Sequence, residues 1–230
     1  ITYSPKNRAY DVVGSHGVGK KKGDFQPERY AVHRLGVDVE TGLVKPGDIR
    51  RTSLLPWLER TPLLAPHVKQ LLQANGLNIE GLANRGEKLY LGLRSPNLNG
   101  NGFVVEIKAD KLFSDVKPEK LVVHSLKLGE GRGIREITSV RGGFLLVTGN
   151  SGAEATKKIP QTLVTVPDTR FSLLFWNGRD SVPVHLGDLP ESRGKAEGLL
   201  ILEDTPEHVA LLVIYDRLPG GLPTAVRLTR

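Results

Sequence analysis

A strand, turn, strand pattern that occurs three times is the feature that most constrains the fold of this chain. In each copy a short strand with a charged residue at an equivalent position leads through a turn into an apolar strand, and the copies span residues 78–94, 133–150 and 195–216. The charged residues are Glu80, Arg135 and Glu197, which are 55 and 62 residues apart. Propeller blades repeat every 40 to 50 residues or so, and loop insertions would account for the excess. The pattern therefore predicts a series of similar β-units.

Further β-like runs follow each unit, at residues 30–39, 102–107, 121–128, 163–166, 172–176 and 182–186. A fourth unit is visible only in its second half, residues 9–16, and its first strand is either missing or formed by residues 1–4. Four strands per repeat are typical of a β-propeller blade. We therefore predict an all-β fold, a single propeller domain over residues 1–230 with about four antiparallel blades. The chain opens inside a predicted strand without Met, so we expect that residues precede it and that the propeller is a larger one, incomplete at its amino end.

Residues 54–75 interrupt the β pattern. Apolar residues at Val68, Leu71 and Leu72, followed by Asn75 and Gly76 as a stop signal, predict a helical insertion between blades. Such an insertion either packs on the outside or one face of the disc, or covers the channel as a lid.

Composition narrows the classes of function. The 230 residues carry a formal charge of +7 and no cysteine, which excludes disulfides, thiolate metal sites and a cysteine nucleophile. No run approaches the length of a membrane span. Aromatic residues make up 6% and are not interleaved with the basic runs, so no nucleic-acid site is predicted. The compartment stays open, since a chain without cysteine suits the cytoplasm and the periplasm equally.

Sequence motifs of familiar hydrolases are missing. The chain has no Gly-x-Ser-x-Gly elbow and no His-Glu-x-x-His motif, and its six histidines are scattered. This disfavours a serine hydrolase or a zinc enzyme, although a triad can assemble from distant positions.

Equivalent positions on the first strands of successive blades line a propeller channel, so Glu80, Arg135 and Glu197 are expected to be neighbours. Opposite charges placed there can pair and satisfy one another. Alternatively, the carboxylates of Glu80 and Glu197, with an oxygen such as that of Asn78, can hold Ca²⁺ or another hard cation. Arg135 between the two carboxylates argues against the metal.

The ends of the second strands carry a second polar set: His16, Arg94, Asn150 and Asp216. If these side chains converge, His16 could act as a general acid or base and Arg94 could hold a carboxylate or phosphate. The alternative is that they serve as turn caps, because His16 and Arg94 lie in turns bounded by glycine or proline. Basic residues around the motifs would draw anions to one mouth of the channel. These residues are Lys20, Lys21, Lys22, Arg132, Arg193 and Lys195 together with Arg94 and Arg135.

The segments at 78–83, 91–96, 14–16, 131–135 and 195–199 together resemble a bacterial family catalogued as domain of unknown function 3616. The resemblance covers most of the chain, and the family is distantly similar to the phytase-like esterase propellers, whose repeats carry the same Glu-Gly-Leu strand. It implies a β-propeller and implies no reaction.

Two functions follow from these observations. One is a hydrolase, of phosphoesterase or esterase type, that acts on an anionic small molecule in the channel. Its catalytic residues would be His16, Glu80 and Glu197, its substrate-binding residues Arg94, Arg135, Asn150 and Asp216, and its metal candidates Asn78, Glu80 and Glu197. The other is a non-enzymatic propeller that binds a ligand or partner protein. Fold alone does not choose between them.

Overall fold

The computed structural model describes residues 1–19, 24–152, 166–167, 169–190 and 194–230. These residues form fifteen strands, which are β1 (Thr2–Ser4), β2 (Ala9–Val13), β3 (Ala31–Val37), β4 (Val44–Ser53), β5 (Asn78–Arg85), β6 (Lys88–Leu98), β7 (Asn101–Lys108), β8 (Val122–Lys127), β9 (Arg132–Val140), β10 (Gly143–Asn150), β11 (Ser172–Trp176), β12 (Val184–Asp188), β13 (Lys195–Asp204), β14 (His208–Asp216) and β15 (Thr224–Thr229). The helices are short: α1 (Leu55–Glu59), α2 (Ala109–Leu112) and 3₁₀ turns at Pro27–Tyr30, Ala65–His67, Leu72–Ala74 and Pro219–Gly221. The predicted all-β class is confirmed. None of the described helices has the length and apolar character needed to cross a membrane.

The strands form four antiparallel sheets, each with its strands side by side in chain order. The first sheet is β1 to β4, the second β5 to β8, the third β9 to β12 and the fourth β13 to β15. Each sheet is thus a simple meander, which is the arrangement that hairpin connections between successive strands produce.

Most of the predicted strands are present, and the fourth unit has a first strand, β1. Two strands, β4 and β15, were not predicted. The residues of β4 are exposed or partly exposed throughout, so the strand lacks the alternation of apolar and polar residues that reveals a half-buried strand. Of the predicted run 163–166, residues 163–165 lie outside the described residues.

The first strands of successive sheets are neighbours. The Asn84 N–H on β5 donates to Thr2 Oγ1 at 3.2 Å, and Ser139 Oγ on β9 donates to the Asn84 carbonyl at 2.7 Å. The Arg141 N–H, just after β9, donates to Asp204 Oδ2 on β13 at 2.6 Å. β1, β5, β9 and β13 therefore follow one another in space in the order in which they occur in the chain.

Apolar side chains fill the space between neighbouring sheets in three clusters, one at each boundary. At the boundary of the second and third sheets the centre is aromatic: the rings of Phe144 and Trp176 stack with centroids 5.2 Å apart, and Tyr90 lies 4.6 Å from Phe144. The second and third sheets therefore each pack against a neighbouring sheet on both sides.

The helical segment between β4 and β5 belongs to the core of the first and second sheets. Its buried side chains, Leu54, Trp57, Leu58, Leu64 and Val68, pack with residues of both sheets. The segment ends at Asn75, whose φ of 63° is the left-handed conformation that commonly follows a helix.

Thr61 ties this segment to the second sheet. Its buried hydroxyl donates to the Trp57 carbonyl at 2.9 Å and accepts the Leu121 N–H, next to β8, at 3.0 Å. We expect Thr61→Val to lower the free energy of unfolding by about 1–2 kcal/mol, because the Leu121 N–H would be left buried without a partner. Urea denaturation would measure the loss. Thr138→Val on β9 is the matched control, since no hydrogen bond of its side chain would be lost, and an equal effect of both substitutions would contradict the assignment.

Candidate functional site

A β-bulge lies at the same point of β5, β9 and β13. At this point of each strand one residue lacks a cross-strand partner, and these residues are Glu80, Arg135 and Glu197. A bulge bends its strand and changes the direction of the side chain at the extra residue. The three charged residues identified in the sequence are therefore structurally equivalent, and the bulges turn their side chains toward one another.

Arg135 lies at the centre of the resulting group. Its side chain is 1% exposed, and its Nε is 2.6 Å from Glu80 Oε2 without the linear geometry of a hydrogen bond, while Nη2 contacts Glu197 Oε1. Nη1 donates to the Asn150 carbonyl at 3.2 Å. One buried cation thus joins carboxylates from the second and fourth sheets.

Arg94 extends the group on the other side of Glu80. Its Nη1 donates to Glu80 Oε1 at 3.0 Å, its Nε donates to the Asn150 carbonyl at 3.1 Å, and its Nη2 donates to the Gly152 carbonyl. The side chains of Arg94, Glu80, Arg135 and Glu197 form a continuous line of alternating charge, which we call the charge cluster. Its formal charges cancel.

The ion-paired alternative for Glu80, Arg135 and Glu197 is the one that the structure contains. Both candidate metal-binding carboxylates contact Arg135. Within the described ranges, no group of three or more His, Cys, Asp or Glu side chains is arranged to hold a metal ion.

Asn78 connects the charge cluster to His16. The Asn78 Nδ2 donates to Glu80 Oε1 at 3.4 Å, and its buried Oδ1 has no hydrogen-bond partner. Asn78 and His16 line the same cavity, of about 20 Å³, which is room for one water molecule. The His16 ring contacts Ser15 Oγ at 2.7 Å through Nδ1 and Arg29 Nη1 at 3.3 Å through Nε2.

The second polar set does not converge as a whole. Asn150 meets Arg94 and Arg135 through its backbone carbonyl, while its side-chain Oδ1 accepts the Gly152 N–H at 2.9 Å. Asp216 is exposed and accepts the N–H of Arg217 at 2.8 Å. Of the four residues, Arg94 and Asn150 contact each other, whereas Asp216 is exposed, because β15 pairs with β14 only as far as Val213 and leaves the end of β14 uncovered.

The described basic residues around the motifs contact different neighbours. Arg132 donates to Ser172 Oγ at 3.0 Å, and Lys195 is the cross-strand neighbour of Asp216. Lys20, Lys21, Lys22 and Arg193 lie outside the described residues.

Glu136, a titratable residue beside the charge cluster, was not predicted as a site residue from the sequence. The pKa of its carboxyl is raised to about 7, mainly by burial and to a smaller extent by the nearby Glu80 carboxylate, against the hydrogen bond that the carboxyl accepts from the Ile137 N–H at 2.8 Å. The equivalent residues in the other two repeats, directly after the bulge, are Gly81 and Gly198. A glutamate where the other repeats have glycine is the sequence signal that could have identified it.

Residues 46–221, about three quarters of the chain, match the family described as "Protein of unknown function (DUF3616)", and the chain therefore belongs to that family. No curated protein matches the chain.

Proposed function

We propose that this member of a family of unknown function is a non-enzymatic binding module built as a β-propeller, with the charge cluster as a structural element near its axis. The observation that carries the proposal is that the cluster's carboxylates and guanidiniums are occupied by one another and by backbone carbonyls. The module forms one domain, and residues 54–75 are an insertion between its first two blades.

Three features of the sheets support the propeller. The sheets are meanders with the same strand order, their first strands are consecutive neighbours, and three of these strands carry the bulge at the same position. Strands that line a common channel have these relations. A crystal structure should show the first strands around one axis, and a linear stack of sheets without an axis would contradict the proposal.

The bonding of the charge cluster supports binding over catalysis. Glu80 Oε1 accepts from Arg94 and Asn78, and Glu80 Oε2 contacts Arg135, so neither oxygen is free to act as a base. Arg94 and Arg135 direct their N–H groups to these carboxylates and to the carbonyls of Asn150 and Gly152. An anionic substrate would have to displace them.

Glu136 favours a second candidate, the hydrolase. A carboxyl group with a pKa of about 7 is suited to general acid or base catalysis near neutral pH. In this alternative Glu136 would act beside Glu80 on an anionic small molecule, with or without Ca²⁺.

A substrate panel separates the two candidates. We expect no turnover of phosphomonoesters, phosphodiesters, lactones or carboxyesters, with or without Ca²⁺, above the uncatalysed rate. Hydrolysis by the wild-type protein that is lost in Glu136→Gln, Glu80→Gln or His16→Ala would overturn the binding proposal. Exposed Glu130→Gln is the control for these variants and should behave as the wild type does in every assay.

A further inference from the structure

An open apolar cleft lies between the outer parts of the third and fourth sheets. Its volume is about 270 Å³, and its apolar lining includes Leu145, Phe175, Val184, Leu186, Val209 and Leu228. Two of these residues on β12 are strongly exposed, Val184 at 60% and Leu186 at 39%. We call this space the β12–β15 cleft.

The equivalent place at the preceding boundary is filled. There Leu126 on β8, the fourth strand of the second sheet, is 1% exposed and packs in the core that contains Trp176. The Lys127 N–H donates to the Ser181 carbonyl, in the connection between β11 and β12, at 2.8 Å. Residues of β11 and the connection that follows it therefore cover Leu126 of β8, whereas the described residues leave Val184 and Leu186 of β12 exposed.

Within the part of the chain that the structure describes, the β12–β15 cleft borders an unpaired sheet edge. β15 is the outermost strand of the fourth sheet and pairs with β14 on its other side. The Arg230 N–H donates to the Glu207 carbonyl at 3.0 Å, so by the alternation of an antiparallel pair the N–H and C=O groups of Ala225, Arg227 and Thr229 point to the open edge. Such groups readily pair with an added strand.

We propose that the β12–β15 cleft binds an extended segment of a partner polypeptide, which adds to β15 as the fourth strand of the fourth sheet. Main-chain hydrogen bonds to β15 would give affinity, and alternate side chains of the segment would lie over Val184 and Leu186. This inference rests on the proposed function as a binding module and names its partner.

The charges at the cleft indicate the chemistry of the partner segment. Arg141 and Arg230 border the cleft, and its described lining contains no carboxylate. Arg230 is paired with Asp204, whereas no such partner is described for the Arg141 guanidinium. The segment is therefore expected to alternate apolar and polar residues and to carry a carboxylate that reaches Arg141.

The probe for the test is the fluorescein-labelled peptide Glu-Val-Thr-Val-Thr-Val-Thr-Glu, and the measurement is fluorescence anisotropy with the 230-residue chain. We expect saturable binding, weakened about tenfold or more by Leu186→Glu, which places a charge in the cleft. Val122→Glu is the matched control, because Val122 is 53% exposed on β8 and lies outside the cleft. A peptide N-methylated at every residue should not bind, because it has no backbone N–H to donate to β15.

Several results would overturn the proposal. The first is that the probe does not bind at about 1 mM. The second is that the methylated peptide binds as tightly as the probe. The third is that Leu186→Glu and Val122→Glu change the affinity equally. Slow hydrogen exchange at Ala225, Arg227 and Thr229 in the free chain would show that the chain already covers the edge. The same protection in a dimer would assign the cleft to a second copy. Hydrolysis in the substrate panel would instead contradict the proposed function, so the two failures are distinguishable.

Discussion

Replacing Arg135 with methionine is expected to lower the free energy of unfolding by about 3–5 kcal/mol. The substitution leaves Glu80 and Glu197 without their common cation, at side-chain exposures of 20% and 35%. It also leaves the Asn150 carbonyl with one charged donor in place of two. Removing one partner of a buried ion pair costs far more than an exposed pair contributes, because the remaining charge stays poorly hydrated. Urea denaturation at neutral pH would measure the loss.

Arg132→Met is the matched control for this prediction, since Arg132 lies on the same strand and its guanidinium donates a hydrogen bond to the hydroxyl of Ser172. We expect it to cost about 1 kcal/mol. Adding Glu197→Gln to Arg135→Met should recover part of the loss, because it removes one uncompensated charge. If Arg135→Met stayed within about 1 kcal/mol of the wild type, the charge cluster would not be the structural element proposed above.

The second large effect expected is a pH dependence of stability caused by Glu136. The pKa of its carboxyl is about 7 in the folded protein, against 4.5 for a free glutamate. At pH values between 4.5 and 7, the folded state therefore keeps a proton that the unfolded state has already lost. Stability contributed by this group is complete below about pH 4.5, falls as the pH rises, and is lost above pH 7. The difference amounts to about 2–3 kcal/mol.

Glu136→Gln should remove this dependence. We expect the variant to be more stable than the wild type by about 2–3 kcal/mol at pH 8 and by much less at pH 5, as measured by urea denaturation at both values. His67 has a pKa lowered by burial and would change stability in the opposite direction, but it is present in both proteins and cancels in the comparison. A difference of the same size at both pH values would mean that Glu136 does not titrate in this range.

The repeat could be read from the sequence because its signals are local. Apolar strands, turns and one charged residue recur in each copy, and this was enough to predict the all-β class, most of the strands and the equivalence of Glu80, Arg135 and Glu197. The two strands that escaped prediction, β4 and β15, are edge strands with weak burial, and an exposed strand has little apolar pattern to detect.

The candidate site was predictable in part. Adjacency of the three charged residues followed from the repeat, but the bonds of Arg94 to Glu80 and to the carbonyls of Asn150 and Gly152 depend on how the second and third sheets stack. Asp216 occupies the same position of its repeat as Arg94 and Asn150, yet its side chain is exposed. Glu136 gains its raised pKa from burial by a neighbouring sheet, which a strand's own sequence does not specify.

The sequence by itself determined the number and order of the β-units and which residue of each carries the charge, because strand formation depends on residues close together in the chain. Only the tertiary structure decided that these charges neutralise one another and that the described residues leave the β12–β15 cleft uncovered. Both depend on the distances between residues on different sheets, where desolvation and packing set the energy of every contact.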